Sequence, residues 1–299
     1  MKNYLLLFIK GMGMGIANVI PGVSGGTIAL ITRIYEELVN SLKSFDKQAI
    51  KLLFSFKISK LIKHTNFYFL TAVFSGSIVS VFTIASLLEY LFDSHPVLIW
   101  AFFFGLILAS IIFVGKRVEV WNIQSTTALI IGTIIAFSLA LMNPAAENSN
   151  LFFVFICGIV GIIGMILPGL SGSYILILLG NYKLLMVSAV ADLNISLLSI
   201  FFLGSIFGLM IFSHLLSWLL KKYKDATLAL LTGFILGSLN IIWPWKKVSE
   251  SIIINGEDKI IKYTSFFPDK IDNNTILAIG LILLGFILVY LLENFSKKA

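Results

Sequence analysis

Twice along the chain, apolar sequence is interrupted by the same kind of break: Pro21-Gly22-Val23-Ser24-Gly25-Gly26-Thr27 and Pro168-Gly169-Leu170-Ser171-Gly172-Ser173-Tyr174. A proline inside a helix removes a backbone donor and clashes with the preceding turn. Glycines add backbone freedom, and Ser and Thr hydroxyls need partners. In apolar surroundings such backbone is tolerated only where protein or a water-filled cavity covers it. Two breaks in like surroundings therefore predict a duplicated fold, each half bringing one half of a shared site.

The surroundings are those of a membrane. The chain is 58% hydrophobic and 12% charged, with a mean hydropathy of +0.99, where a soluble chain carries about 25% charged residues. A bilayer core takes about 20 apolar residues per helix. Such runs lie at 67–92, 97–115, 125–142, 194–220, 226–243 and 275–292. The expected fold class is an all-α polytopic membrane protein, one transmembrane domain over residues 1–299. No signal peptide is read at Leu5–Ile9, because no small-residue cleavage site follows before the glycines. The net charge of +7 fits Lys- and Arg-rich cytoplasmic loops rather than nucleic acid. Cys157, the single cysteine, has no disulfide partner in the chain and reads as packing.

The pattern of elements restarts after residue 150. A first repeat covers 1–142 and includes a basic connector at 43–66; a second covers 151–293. The two breaks lie 147 residues apart. Phe74-Ser75-Gly76-Ser77-Ile78 resembles Phe202-Leu203-Gly204-Ser205-Ile206, and Gly105–Ser110 resembles Gly233–Ser238, both at an offset of 128. Ile131-Gly132 with Ile279-Gly280 is a weaker third match. The connector, absent from the second half, accounts for the change of offset. Its Lys43, Lys47 and Lys51 fall on one helical face, suited to anionic lipid or simply to solvent.

Loop charge sets an orientation. The connector, Lys116-Arg117, Lys221-Lys222-Lys224 and Lys297-Lys298 belong inside, together with both termini; the basic-free loop 143–150 belongs outside. Residues 1–42 and 151–190 then each return to the side they left. Each half is expected to be one re-entrant, or short paired, helical hairpin plus three transmembrane helices, with the second half inverted. Inverted-topology repeats accompany alternating access.

At each bend a helix is expected to start just after the Pro-Gly, turning free N–H groups and a positive dipole end toward a cavity. Glycines let a ligand approach that backbone, and Ser24, Thr27, Ser171 and Ser173 add donors. Such a pocket suits an anion, phosphate above all; the blander reading is capping and tight packing. The expected binding residues are Pro21, Gly22, Ser24, Gly25, Gly26 and Thr27 with Pro168, Gly169, Ser171, Gly172 and Ser173. Arg33, Tyr35 and Tyr182 complete the set. Arg33 suits phosphate and equally suits snorkelling at an arm's end. Tyr35 and Tyr182 frame the cavity or sit at the interface belt. His214 reads as packing. No catalytic residue, metal site or cofactor is expected: nucleotide-binding, His-Glu-x-x-His, paired-cysteine and haem motifs are absent.

Asn18-Val-Ile-Pro21-Gly-Val-Ser-Gly-Gly-Thr27-Ile-Ala-Leu, followed by Ile34-Tyr35-Glu36, closely resembles the first signature of a family of bacterial polyprenyl-phosphate translocases, long listed as a domain of unknown function. Leu167-Pro168-Gly-Leu-Ser171-Gly-Ser173-Tyr-Ile-Leu-Ile-Leu-Leu-Gly180-Asn181-Tyr182 matches the second. Arg33 and Lys183 depart from that pattern, which has a small and an acidic residue there. The resemblance spans essentially the whole chain. It implies return of undecaprenyl phosphate, the lipid carrier of cell-wall and surface glycans, from the outer to the inner leaflet of the plasma membrane. Integral-membrane undecaprenyl-pyrophosphate phosphatases are the alternative, since they also use inverted repeats and a Pro-Gly-x-Ser bend. Theirs continues with arginine and serine beside a Glu-x3-Glu pair, where this chain has glycines and no such pair in a span. Another anion or lipid transporter is a further alternative; an ion channel is disfavoured for want of a ring of ligands.

Overall fold

Most of the apolar runs become helices that begin on an Asn, Ser or Asp side chain accepting from the first turn. The computed structural model describes residues 3–20, 23–254, 257–268 and 270–298; Pro21 and Gly22 lie outside the described residues. In chain order the helices are α1 (Tyr4–Val19), α2 (Gly25–Ile31), α3 (Tyr35–Lys43), α4 (Lys47–Phe54), α5 (Ile58–His64), α6 (Phe67–Ser94), α7 (Pro96–Gly115) and α8 (Ile123–Leu141). There follow α9 (Leu151–Ile166), α10 (Gly172–Leu178), a π-helical turn at Lys183–Ser188 running into α11 (Ala189–Ala191), α12 (Ile195–Lys222), α13 (Lys224–Gly237) and α14 (Asn273–Lys298). Asn3, Ser24, Asp46, Asn122, Asn150, Ser171 and Asn194 cap α1, α2, α4, α8, α9, α10 and α12, satisfying donors that a helix start leaves over.

The protein is an all-α polytopic membrane protein. Among the described residues, five helices are long and apolar enough to cross a bilayer, namely α6, α7, α8, α12 and α14. A sixth crossing would join Gly172–Leu178 to Lys183–Ala191 across a bend of 119°. The expected span at 226–243 is shorter: α13 stops at Gly237 and a single 3-10 turn, Ser238–Asn240, follows. The first arms α1 and α9 have 16 residues each and the second arms α2 and α10 have 7. At about 1.5 Å per residue neither kind reaches across a core of about 30 Å. The segment after Trp243 carries an antiparallel hairpin, β1 (Lys246–Ile254) with β2 (Glu257–Ser265).

Helices pair through glycines. Gly11 of α1 faces the Val73 carbonyl of α6, and Gly76 faces the Phe8 carbonyl; Gly158 of α9 faces the Phe201 carbonyl of α12, and Gly204 faces that of Phe155. At each of these positions a Cβ would overlap the facing oxygen. A missing Cβ lets backbones close to Cα–H···O range, the usual basis of helix association where water gives no hydrophobic drive. These contacts repeat at the offsets of 147 and 128 seen in the sequence. So do the bounds of α1 and α9, of α2 and α10, and of α6 and α12. Two further pairings run across the sequence: α8 packs on α13 and α14 on α7. There Gly105 faces Ile282 and Gly233 faces Leu129, while Gly285 faces Phe102 and Gly132 faces Leu230. Gly132 thus behaves like Gly285. The sequence match to Gly280 is overturned, since Gly280 meets nothing within 4 Å.

The main core surrounds the first hairpin, where Ile20, Val23, Leu30 and Ile31 pack with Ile107, Leu231 and Ile235. Cys157 is buried in a smaller cluster with Val154, Leu176 and Leu185, as packing requires. The basic connector forms α4 and α5 after its first residue, Lys43, which ends α3 and donates to Ser217 Oγ at 3.4 Å; the helix breaks at Asp46, so only Lys47 and Lys51 share a helical face. Slight burial raises the pKa of Asp46, but N–H donors of Ala49 and Gln48 together with His64 hold its carboxyl below the usual range. Phe54 and Phe56 beside the lysines are 78% and 87% exposed.

Candidate functional site

The two bends meet. Ser24 Oγ donates to the Leu167 carbonyl at 3.0 Å, and Thr27 Oγ1 accepts from Gly169 N–H at 3.0 Å. The Tyr35 hydroxyl donates to the Ile166 carbonyl at 3.3 Å. Gly26 lies so close to the Ile166 carbonyl that a Cβ would overlap it. Side chains of the first hairpin therefore close onto the backbone of the second around Pro168, which supplies no N–H. Val23, Ser24, Gly25, Gly26, Thr27, Pro168, Gly169 and Ser171 are all buried here.

The first turn of α2 departs from the expectation of free donors. Gly25 N–H donates to Asn18 Oδ1 at 2.7 Å, Gly26 N–H to Ser24 Oγ at 3.1 Å and Thr27 N–H to the Ser24 carbonyl at 3.0 Å. Asn18 and Ser24 close that helix start, so the bend as it stands is a seal. Ser171 and Ser173 differ: their hydroxyls share a hydrogen bond at 2.8 Å. Ser173 and Gly172 are only half-buried. Tyr182 is not brought to the bends; it lies 37% exposed beyond the end of α10. His214 is exposed and bonded to its own helix at Met210, not packed as expected.

The two second arms run out from the bends to opposite ends of α8. α2 ends beside the residues that precede α8, where Arg117 donates to the Ile31 carbonyl at 3.3 Å. α10 ends where α8 has finished: Ala145 N–H donates to the Leu178 carbonyl at 2.8 Å, and buried Asn181 exchanges hydrogen bonds with the Asn148 backbone. Residues 145–148 thus cover the α10 end. At the α2 end a cavity of about 530 Å³ opens, lined by Leu30, Arg33, Tyr35, Lys116, Arg117 and Lys224 with Glu36, Glu37 and Glu119.

Beside that cavity stands a cluster that sequence reasoning missed. Glu293 of α14, its side chain 2% exposed, receives Arg33 Nη2 on Oε1 at 2.6 Å and Arg117 Nη2 on Oε2 at 3.2 Å. Both arginines of the chain converge on it. Burial lowers the pKa of Arg117 and the Glu293 carboxylate opposes that pull; the guanidinium stays charged throughout. The signal available beforehand was thin. Glu293 ends an apolar run, where a carboxylate reads as a solvated flank, and Arg117 sits in an ordinary basic loop.

The residue pattern is shared with known proteins. A family model described as undecaprenyl phosphate translocase-like (VCA0040-like) matches residues 14–259. A polyprenyl-phosphate transporter of Vibrio cholerae is 39% identical over 303 aligned positions, covering 99% of this chain and 98% of that protein. A polyprenyl-phosphate transporter of Staphylococcus aureus is 30% identical over 255 positions, 79% of this chain and 85% of that protein. No solved structure matches the chain. With both bends and both second arms, α2 and α10, inside the matched region, the chain belongs to the undecaprenyl phosphate translocase-like family.

Proposed function

We propose that the protein carries a polyprenyl phosphate, undecaprenyl phosphate above all, from the outer to the inner leaflet of the bacterial plasma membrane for reuse in cell-wall and surface-glycan synthesis. The head group passes between the bends while the prenyl tail stays in lipid. One observation carries this reading: the bends touch in mid-protein through Ser24–Leu167 and Thr27–Gly169, with a cavity beyond one and covering backbone beyond the other. Between conformations the bends part, and Ser24, Gly25, Gly26 and Thr27 with Gly169, Ser171, Gly172 and Ser173 exchange each other for phosphate. Pro168 shapes the second turn, Arg33 and Tyr35 stand on the inner side, and Tyr182 frames the outer entry.

In this reading residues 1–142 and 151–293 are an inverted repeat of re-entrant hairpins, supported by the glycine contacts recurring at the same offsets. Both termini and the Arg33 cavity are cytoplasmic, and α4–α5 lays its lysines and exposed phenylalanines on the inner leaflet. With Cys157 replaced by Ser, Glu147→Cys and Ser188→Cys should both label from outside; labelling from opposite faces would refute the second hairpin's return.

The decisive test is a leaflet-resolved assay in proteoliposomes. Purified protein should move undecaprenyl phosphate between leaflets, and should release no inorganic phosphate from undecaprenyl diphosphate. Metal-dependent release without translocation would make the chain a phosphatase instead.

A further inference from the structure

Arg33 occupies a backbone conformation that its sequence does not favour. It follows α2 at φ +62°, and the residue in the same place after α10 is Gly180 at φ +75°. Both close the same turn. Arg33 N–H reaches the Leu30 carbonyl and Ile34 N–H the Ala29 carbonyl; Gly180 N–H reaches Ile177 and Asn181 N–H reaches Leu176. That is a helix ending whose left-handed residue is normally glycine, and an L-residue adopts it only at a cost. Phe56 and Leu193 close helices in the same left-handed way, so the turn alone assigns no role; what sets Arg33 apart is where its side chain goes.

What the position provides is a guanidinium at the cavity wall beside a second one. Arg33 and Arg117 each give Nη2 to a different oxygen of Glu293. Both arginines line the cavity, and Glu293 is not part of its lining. A guanidinium carries five donors. Arg117 spends Nη2 on Glu293 and on the Ile31 carbonyl, and its buried Nε has no partner among the described residues. The other charges on the wall partly offset one another: Lys224 lies 3.5 Å from Glu119, and Glu37 accepts from Asn66 at 2.7 Å. Two forks set side by side with donors to spare match the several oxygens of a phosphate monoester better than a single carboxylate. The monoester also carries more negative charge, about −1.5 to −2 near neutrality.

We infer that Arg33 and Arg117 form a phosphate clamp at the α2 end of the passage, and that Glu293 is an internal carboxylate holding both arginines until a phosphate monoester takes its place. This rests on the transport reading above. In it, Glu293 is a positioning residue: it holds both forks and offsets one of their two charges, and it competes with the head group so that arriving substrate is not trapped.

The test is binding to purified full-length protein in detergent with three probes: geranylgeranyl phosphate, inorganic phosphate and geranylgeraniol. Glu293→Gln should bind geranylgeranyl phosphate at least about tenfold more tightly than wild type, because close charge pairs are worth that much or more. Arg33→Lys and Arg117→Lys keep the charge and lose the fork, and should each weaken binding about tenfold. Geranylgeraniol should show no difference between variants. A folded Glu293→Gln that binds no better than wild type overturns the role given to Glu293. Should that variant not fold, the lysine variants decide, and unchanged binding in both overturns the clamp. Wild type that binds inorganic phosphate but not the prenyl phosphate leaves the clamp standing and removes the lipid substrate. Wild type that binds neither removes both.

Discussion

Gly169→Ala is expected to destabilise the protein by about 3–5 kcal/mol, combining the cost of a left-handed L-residue with that of overpacking. Gly169 has φ +76°, and a Cβ there would stand 2.5 Å from Ile235 N and from Phe234 C and O of α13. Those are backbone atoms of a buried helix, so no side-chain rotation relieves the overlap. The same turn presents Gly169 N–H to Thr27, and any displacement loosens the contact between bends. Thermal unfolding in detergent should show a clear loss of melting temperature, with transport lost in parallel. Gly280→Ala is the matched control. It sits in α14 with nothing within 4 Å, so alanine should leave stability unchanged or raise it by up to about 1 kcal/mol through helix propensity. Equal melting of the two variants would refute the tight packing of the second bend on α13.

Gly26→Ala should separate function from fold. Its Cβ would enter the Ile166 carbonyl oxygen, the backbone facing it across the bends, and would approach Ser24 Oγ at 3.2 Å. The four glycine-mediated helix pairings lie elsewhere, so they should survive. The expected result is a protein that folds, with transport of undecaprenyl phosphate reduced by about tenfold or more, the rate equivalent of roughly 1.4 kcal/mol. Ser173→Cys in the same background should label faster than in wild type, reporting the opened seam. Wild-type transport by Gly26→Ala would mean that close apposition of the bends is not part of the cycle.

Much of this was legible in the residues, for reasons that can be located. The long spans are apolar enough to be read by length, and the offsets of 147 and 128 reappear as matching helix bounds because the same sequence signals start and stop them. Hydroxyls and glycines of the bends lie where the two bends touch. Their partners were not legible. Ser24, Thr27 and Asn18 spend their hydrogen bonds on backbone that is close only after folding, so a donor-rich motif became a seal. α13 stops short because Gly237 is followed by a 3-10 turn, although hydropathy continues through Ile241 and Ile242. The third-helix match slipped because glycines in apolar runs align easily, and only contact tells Gly285 from Gly280. Glu293 was unreadable for a similar reason: a carboxylate at the end of a span acquires meaning from two arginines far away in sequence.

The crossed pairing of α8 with α13 and α14 with α7 bears on biogenesis. Translation delivers α7 long before its partner α14, and Arg33 and Arg117 long before Glu293. Until the last helix inserts, the nascent first half holds two adjacent guanidiniums without their shared counter-ion and an α7 face without cover. The first half is therefore not a finished unit awaiting a second. Its assembly waits for α14, and a ribosome that stops short of that helix leaves α7 and both arginines without their partners.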